Sequence, residues 1–581
     1  ITINFFRAMR PSGEKPFIIL NEWLLRKRHV FWYEGDNSSA IIADISAALL
    51  SGEKLMVAFD SKKSLKKLEH ILQAGGMKIQ TEEASKTSPP TPLLQGEGSN
   101  CTPPSLGGKG VGGLGSPFRI WSIHSENSGS EENTAFIEDI TNAVKNTDIL
   151  LASPSLGTGV DIKGDHFDGV YGVFHGVSQT ATECAQALHR FRMAVPLHIW
   201  VAPRPPFGYK DTNPIKIKQR LLQTNEMTAF LLKIDRETGK RGAEKDWALD
   251  AYCQIQAKRH QSLNNLREDL RRLLIEMGYI MNPMGAIEDP QTKQRLKDAA
   301  KALDAAYCAE VAKAKDISPR IYKDRQSKDY LKPEEIFECE KFRIKEAYGI
   351  EVTQELVAKD KGGKLSWDIA TLEGTLAPSE ETITDPNTGR TIKLPPSIVA
   401  NLDRSERRKL RISMDWTNNS SQWVARSTLG LPKILNRLMD GAEITATDPD
   451  LVQMTKLAIH LAPHIKAILG FTVPPDCKPI WLLAILLDQL ALKLVSRKIG
   501  ARGKQVKHYS LSKPELEFAL KVIKHRQNKR AQQEERARQA QEDQRRYQTG
   551  IFTMYGIEPP TPPVSTPPPN GIDYQGEEWI Q

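Results

Sequence analysis

The chain has 581 residues, too many for one hydrophobic core, so two to four domains are expected. Hydrophobic residues make up 39% and charged residues 26%, a dilution that follows from long Pro-, Gly- and Ser-rich stretches, so part of the chain is expected to be disordered. Lys plus Arg outnumber Asp plus Glu by 80 to 71, a net charge of +9 that suits an anionic partner. Cys101, Cys184, Cys253, Cys308, Cys339 and Cys477 form no C-x-x-C pair and have no His at ligand spacing, which argues against zinc and for a reducing compartment. No apolar run reaches the roughly 18 residues of a membrane span, and the first 25 residues lack a signal peptide's core. A soluble, cytoplasmic protein is the expectation. The chain starts "ITINFF" without Met, which raises the expectation of a processed or incomplete polypeptide.

From about residue 15 to 203, short β-branched runs alternate with helical periods. "HVFWYE" reads as a strand, and "NSSAIIADISAALLSG" as a helix from near Ser38 to Gly52. "KLMVAF" and "SKKSLKKLEHILQAGG" repeat the pair, with Ser61 as N-cap and Gly75 as stop. "FRIWSI", "SEENTAFIEDITNAVKN", "DILLAS", "FDGVYGVF", "TATECAQALHRFR" and "LHIWVAP" continue it. Strands separated by helices of this length predict an α/β fold with a parallel sheet covered on both faces. Residues 85–117 interrupt the pattern with a composition that supports no core. Their "GGKG" fails as a phosphate loop, because Gly110 follows Lys109 and Pro103 stands where the first Gly belongs.

Beyond 205 the chain turns helical to about 318, with "SLNNLREDLRRLLIEMGYI" an amphipathic example. A charged middle occupies 319–402, in which 377–397 reads as a linker or exposed hairpin. A compact region follows at 403–525, then a charged and Pro-rich tail at 526–581 whose first part is a solvated helix or charged coil.

Two segments carry candidate chemistry. In "SLGTGVDI" the backbone amides around Gly157 and Gly159, the Thr158 hydroxyl and the Asp161 carboxylate can meet phosphate and ribose, although a plain Gly-rich turn would look the same. In "ECAQALHRFR", a spacing of four puts Gln186 and Arg190 on one helical face with Arg192 near the end, and two guanidiniums beside a sheet edge can clamp a terminal phosphate. Farther on, no acidic residue occurs between Asp488 and Glu515, while Lys493, Arg497, Lys498, Arg502, Lys504 and Lys507 are basic. An apolar helix, a Gly-bearing hairpin and another helix in that order suit a winged helix that binds DNA. Six phosphate contacts would give a log-log salt slope of roughly −5. Tyr509 is expected to pack the wing. Tyr-dependent nicking is disfavoured, since "HYS" lacks companion histidines.

The loop and the helix, about 30 residues apart, resemble motifs V and VI of superfamily 2 helicases, and "QALHRFR" is similar to the Q-x-x-G-R-x-R form of herpesvirus origin-binding helicases. Together with "KLMVAFDSKKSLKKLEHIL" as motif IV, "AYGIEVTQELVAKDKGGK" and "PIWLLAILLDQLALKLVSRKIGARGKQVKHYSL", the chain resembles cyanobacterial plasmid replication proteins with a helicase-like core. The resemblance implies that residues 1–204 are a RecA-like C-terminal lobe, followed by mainly helical domains with a winged-helix-like module. It implies that Gln186, Arg190 and Arg192 sense a γ-phosphate, that Gly157, Thr158, Gly159 and Asp161 bind nucleotide, and that Thr158 and Asp161 couple nucleotide state to DNA and ribose. His189 departs from the motif's Gly. Neither G-x-x-x-x-G-K-[ST] nor D-E-x-[DH] occurs, so the resemblance also implies a missing N-terminal lobe, with ATP and Mg2+ bound only when that lobe is supplied by a longer chain or a split partner. The expected function is plasmid-type replication initiation on double-stranded origin DNA. Two alternatives stand beside it: a non-catalytic DNA-binding or regulatory protein with a helicase-like scaffold, and a decayed gene product.

Overall fold

The computed structural model describes residues 27–75, 118–157, 159–219, 247–328, 330–378, 382–384, 391–409, 419–501 and 505–554. The expected insertion at 85–117, Cys101 and the Pro-rich end of the tail lie outside them.

Seven parallel strands form one sheet: β1 (His29–Tyr33), β2 (Leu55–Phe59), β3 (Ile120–Ile123), β4 (Ile149–Ala152), β5 (Gly169–Phe174), β6 (Leu197–Val201) and β7 (Ile280–Pro283). Their order is β3-β4-β2-β5-β6-β1-β7. β2, β4 and β5 are buried along their whole length, as continuous apolar strands covered on both faces must be. One face packs α1 (Ser39–Leu50) and α2 (Lys62–Gly75) through Ile41, Ile45, Leu65 and Leu68. The other face packs α3 (Glu131–Glu138), α4 (Ile140–Ala143) and α5 (Ala181–Leu188) through Phe136, Ile140, Cys184 and Leu188. The α/β class and the parallel sheet are as the alternating pattern predicted.

Two features of the next stretch differ from the expected run of helix. The amphipathic segment belongs to two helices, α6 (Trp247–Asn264) and α7 (Leu266–Glu276), divided at Asn265, whose φ of −118° takes it out of the helix. α7 lays Leu266, Leu270 and Leu274 against the sheet core, and the chain then adds β7 beside β1. "IMNP" ends in Pro and is only half-buried, so its strand character comes from pairing at an edge and not from local propensity.

Helix α8 (Pro290–Lys313) starts with Pro290 in its first turn and the Asp289 carboxylate accepting from Thr292 N at 2.7 Å. It packs against α1 and α2, and also against α10 (Pro333–Tyr348) and α11 (Gln354–Asp360), so it joins the α/β unit to the helical half. Short α9 (Pro319–Gln326) precedes α10. The helical half continues with α12 (Lys364–Leu376), α13 (Ser397–Lys409), α14 (Asn419–Thr428), α15 (Leu431–Met439), α16 (Pro449–His460), α17 (Ala462–Leu469) and α18 (Pro479–Asp488). Within 377–397, β8 (Thr382–Thr384) and β9 (Thr391–Lys393) form an antiparallel pair, the hairpin alternative for that stretch. The last elements are the hairpin β10 (Leu494–Ile499) and β11 (Val506–Leu511), then the long helix α19 (Lys513–Met554).

Polar groups fix the helical core at a few points. Buried Asp403 accepts from Asn419 N at 2.7 Å, Asn419 Nδ2 at 2.9 Å, Ser420 N at 2.9 Å and Ser420 Oγ at 2.5 Å, so a carboxylate from α13 caps the N-terminus of α14. Buried Asp360 likewise receives Tyr348 Oη at 2.6 Å, Gly363 N at 2.6 Å and the Arg343 guanidinium. No helix of the described residues is long and apolar enough to cross a membrane. Replacing Asp403 by Ala strands buried donors of α14, and urea unfolding should record a loss of about 3 kcal/mol.

Candidate nucleotide and nucleic-acid interfaces

β4 is followed by a single 3-10 turn, Pro154–Leu156, and no crossover helix. Ser153 Oγ accepts from Ser155 N at 3.3 Å, and Gly157 and Gly159 take φ of +85° and +94°. A Cβ at either glycine would meet nothing within 4 Å, so backbone conformation and not crowding calls for glycine there. Thr158 lies outside the described residues. The chain then forms an isolated parallel bridge, Ile162 to Phe191. Ile162 N donates to Arg190 O at 2.8 Å and Arg192 N donates to Ile162 O at 3.4 Å. Arg192 Nε reaches Asp161 Oδ1 at 2.7 Å. The two sequence segments therefore meet in space, joined by backbone and by an ion pair.

That junction alters the expected helical face. α5 is begun by Glu183, whose carboxylate accepts from Thr180 N at 2.7 Å, and it stops at Leu188. Gln186 is exposed on the helix, but Arg190 lies beyond its end, so the spacing of four does not place the two on one face. His189 is the residue at the stop. Its Nδ1 lies 2.5 Å from Ala185 O and its Nε2 2.5 Å from Tyr279 Oη, so Nδ1 carries the proton and Nε2 accepts. The imidazole also stacks on Tyr279 at 5.5 Å, filling with a side chain the place where the resembled motif has Gly.

Arg190 is half-buried, and its guanidinium has no hydrogen-bond or ion-pair partner among the described residues. Burial lowers its pKa, though an arginine remains charged. Arg28, which the sequence reading missed, is 5% exposed and donates from Nη2 to Phe191 O at 3.0 Å, while its Nη1 has no partner. It steadies the backbone between Arg190 and Arg192. A basic residue before a strand carries no signal of such a role.

At the C-terminal end of the sheet, β2 and β5 lie side by side while α2 and α5 depart on opposite faces, the topology that opens a crevice. The buried Asp60 carboxylate occupies it, accepting from His175 N and Val177 N at 2.8 Å each. Ser64 Oγ and His175 Nε2 are 2.6 Å apart. Lys62 and Lys66 are both paired with Glu126, which they hold near pKa 2 against the opposing effect of burial. The crevice is thus internally neutralised, and the sequence reading named none of these residues.

In the second basic region, β10 and β11 pair in antiparallel register from Leu494 opposite Leu511 to Ile499 opposite Val506. Ile444, between α15 and α16, adds a third rung: Ile444 N donates to Tyr509 O at 3.0 Å and Tyr509 N to Ile444 O at 2.8 Å. Tyr509 is half-buried against the helical core. The acid-free run is not acid-free in space. Glu443 pairs with Arg497 at 2.7 Å and faces His508 at 3.6 Å, and Glu515 approaches Lys493 at 3.5 Å. Lys498 and Lys507 are exposed, directly opposite each other, and without an ion-pair partner among the described residues. Arg502 and Lys504 lie outside those residues. The five described cysteines are all free, and no described cluster of His, Cys, Asp and Glu could hold a metal.

No family model matches the chain. An uncharacterized protein of Picosynechococcus sp. is 27% identical to it over 367 residues, 60% of this chain and 33% of that protein. The chain therefore spans about a third of that relative's length. Among solved structures, Mycobacterium smegmatis helicase Lhr bound to ssDNA and AMP-PNP aligns with 82% of this chain and 70% of that one, at 12% identity and a TM-score of 0.22.

Burial holds His124 and His198 at about 4 and lowers His189 in the same direction. The unfolded chain binds protons near 6.5 that these folded imidazoles refuse, so their contribution is complete above about pH 6.5 and is lost as pH falls toward 4. Glu69, pushed up to about 6 by burial, acts in the opposite sense between 4.5 and 6. His198→Phe keeps the stacking with Phe31 and Tyr171, at 4.7 and 4.4 Å, and removes one imidazole. Urea midpoints followed from pH 7.5 to 4 should fall less steeply in that variant than in the parent.

Proposed function

We propose that the chain is part of a plasmid-type DNA replication initiator on a superfamily 2 helicase plan, in which the α/β unit acts as a second, RecA-like lobe. The observation that carries this reading is the Ile162–Phe191 bridge, which joins the candidate motif V loop to the candidate motif VI segment. On this reading the half-buried, unpartnered Arg190 supplies the arginine finger, and Arg192, tied to Asp161, sets the finger's position. Gly157 and Gly159, whose positive φ angles open the loop, face the nucleotide on this reading, and Thr158 between them lies outside the described residues. An N-terminal lobe, in a longer chain or a partner, binds most of the ATP and Mg2+.

The DNA-binding part is read as a winged helix. Its support is the order α15, Ile444 rung, α16, α17, α18, β10, β11, with Ile444 closing a small sheet against Tyr509. Within the hairpin strands, Lys498 and Lys507 are the described cations without an ion-pair partner and so are offered to phosphates, while Arg502 and Lys504 lie outside the described residues.

A second reading, a DNA-binding protein whose α/β unit is only a scaffold, is favoured by one observation: Asp161 is already engaged by Arg192 and is not free to meet a ribose. Single-turnover ATP hydrolysis separates the two. The isolated chain should not turn over. A protein with an ATP-binding lobe ahead of Ile1 should, and Arg190→Ala in it should slow the chemical step by about 10^3-fold or more. An unchanged rate in that variant, with DNA binding intact, selects the scaffold reading.

A further inference from the structure

A helix that reads bases in the major groove needs outward donors and acceptors to match base edges. α18 occupies the recognition position of the DNA-binding module, yet its sequence, "PIWLLAILLD", contains no Arg, Lys, Asn, Gln, Ser or Thr. Leu482, Leu483, Leu486 and Leu487 face the core. The outward side is Trp481, 40% exposed, with Ala484 and Asp488, at the three-and-four spacing of one helical face. The polar groups there are one indole N–H, on Trp481, and one carboxylate, on Asp488, which phosphate repels.

The neighbouring hairpin has the opposite chemistry. Lys498 and Lys507 stand directly opposite each other across the strand pair, an arrangement that disfavours itself unless an anion lies between them. Both are exposed and lack an ion-pair partner among the described residues, whereas Arg497 and Lys493 are already engaged by Glu443 and Glu515.

Resting on the DNA-binding reading above, we infer that this module holds double-stranded DNA by its phosphates through the β10–β11 hairpin, independently of base sequence, with α18 outside the groove. Origin selection then belongs to another part of the replication machinery.

The test is fluorescence anisotropy of the full chain on three unrelated duplexes of about 20 base pairs, titrated over a range of KCl. Dissociation constants should agree within about threefold across the three. The Lys498→Ala/Lys507→Ala double variant should weaken all three alike by about tenfold or more and flatten the log-log salt slope by about 2. Trp481→Ala should leave binding unchanged. Both lysines are exposed, so the double variant retains the fold. A preference of about 100-fold for one duplex that Trp481→Ala abolishes overturns the inference and leaves DNA binding standing, as does full binding by the double variant. Failure of the parent chain to bind any duplex at low salt removes the DNA-binding reading and the inference with it.

Discussion

A parallel sheet cannot be built from hairpins, so each strand must be reached by a connection that carries the chain back to its starting edge. In this protein most of those connections are helices, and they bury the apolar strands on both faces. The exception lies between β4 and β5. There the chain returns through a 3-10 turn and an extended loop, and its unpaired backbone finds partners in the segment that follows α5. That backbone bond places Asp161, Arg190 and Arg192 together. The candidate nucleotide site is thus a consequence of how a parallel sheet satisfies one irregular crossover.

Charge is managed in a similarly local way. Lys62 and Lys66 share Glu126, Arg437 is held by Asp448 and Asp450, and Arg526 and Arg530 both close on buried Glu373. Against that background two placements of cations without acidic partners stand out: Arg190, half-buried just past α5, and Lys498 and Lys507, opposite each other on the hairpin of the helical half. The net charge of +9 pointed to an anionic partner, but only the three-dimensional pairing separates engaged basic residues from available ones.

The strands of the α/β unit were legible because buried parallel strands are short continuous apolar runs, as in "KLMVAF" and "DILLAS". Helix starts were legible at Ser38 and Ser61, which precede α1 and α2. β7 was hidden, because "IMNP" is a strand only through its neighbour β1. The end of α5 was not legible, and at that end His189 meets Tyr279, a residue 90 positions away. Glu443 escaped notice for the same reason, since a charge run read in one dimension does not reveal an acid supplied by another segment. What local sequence encodes was readable; what tertiary pairing decides was not.

On the proposed reading, residues 156–157 and 159–162, together with 189–192, form one half of a nucleotide site. Hydrogen exchange on a two-lobe protein, with and without a non-hydrolysable ATP analogue, addresses it directly. The account predicts that the analogue slows amide exchange in both segments together. Protection confined to the N-terminal lobe, with both segments exchanging as they do without nucleotide, would contradict it.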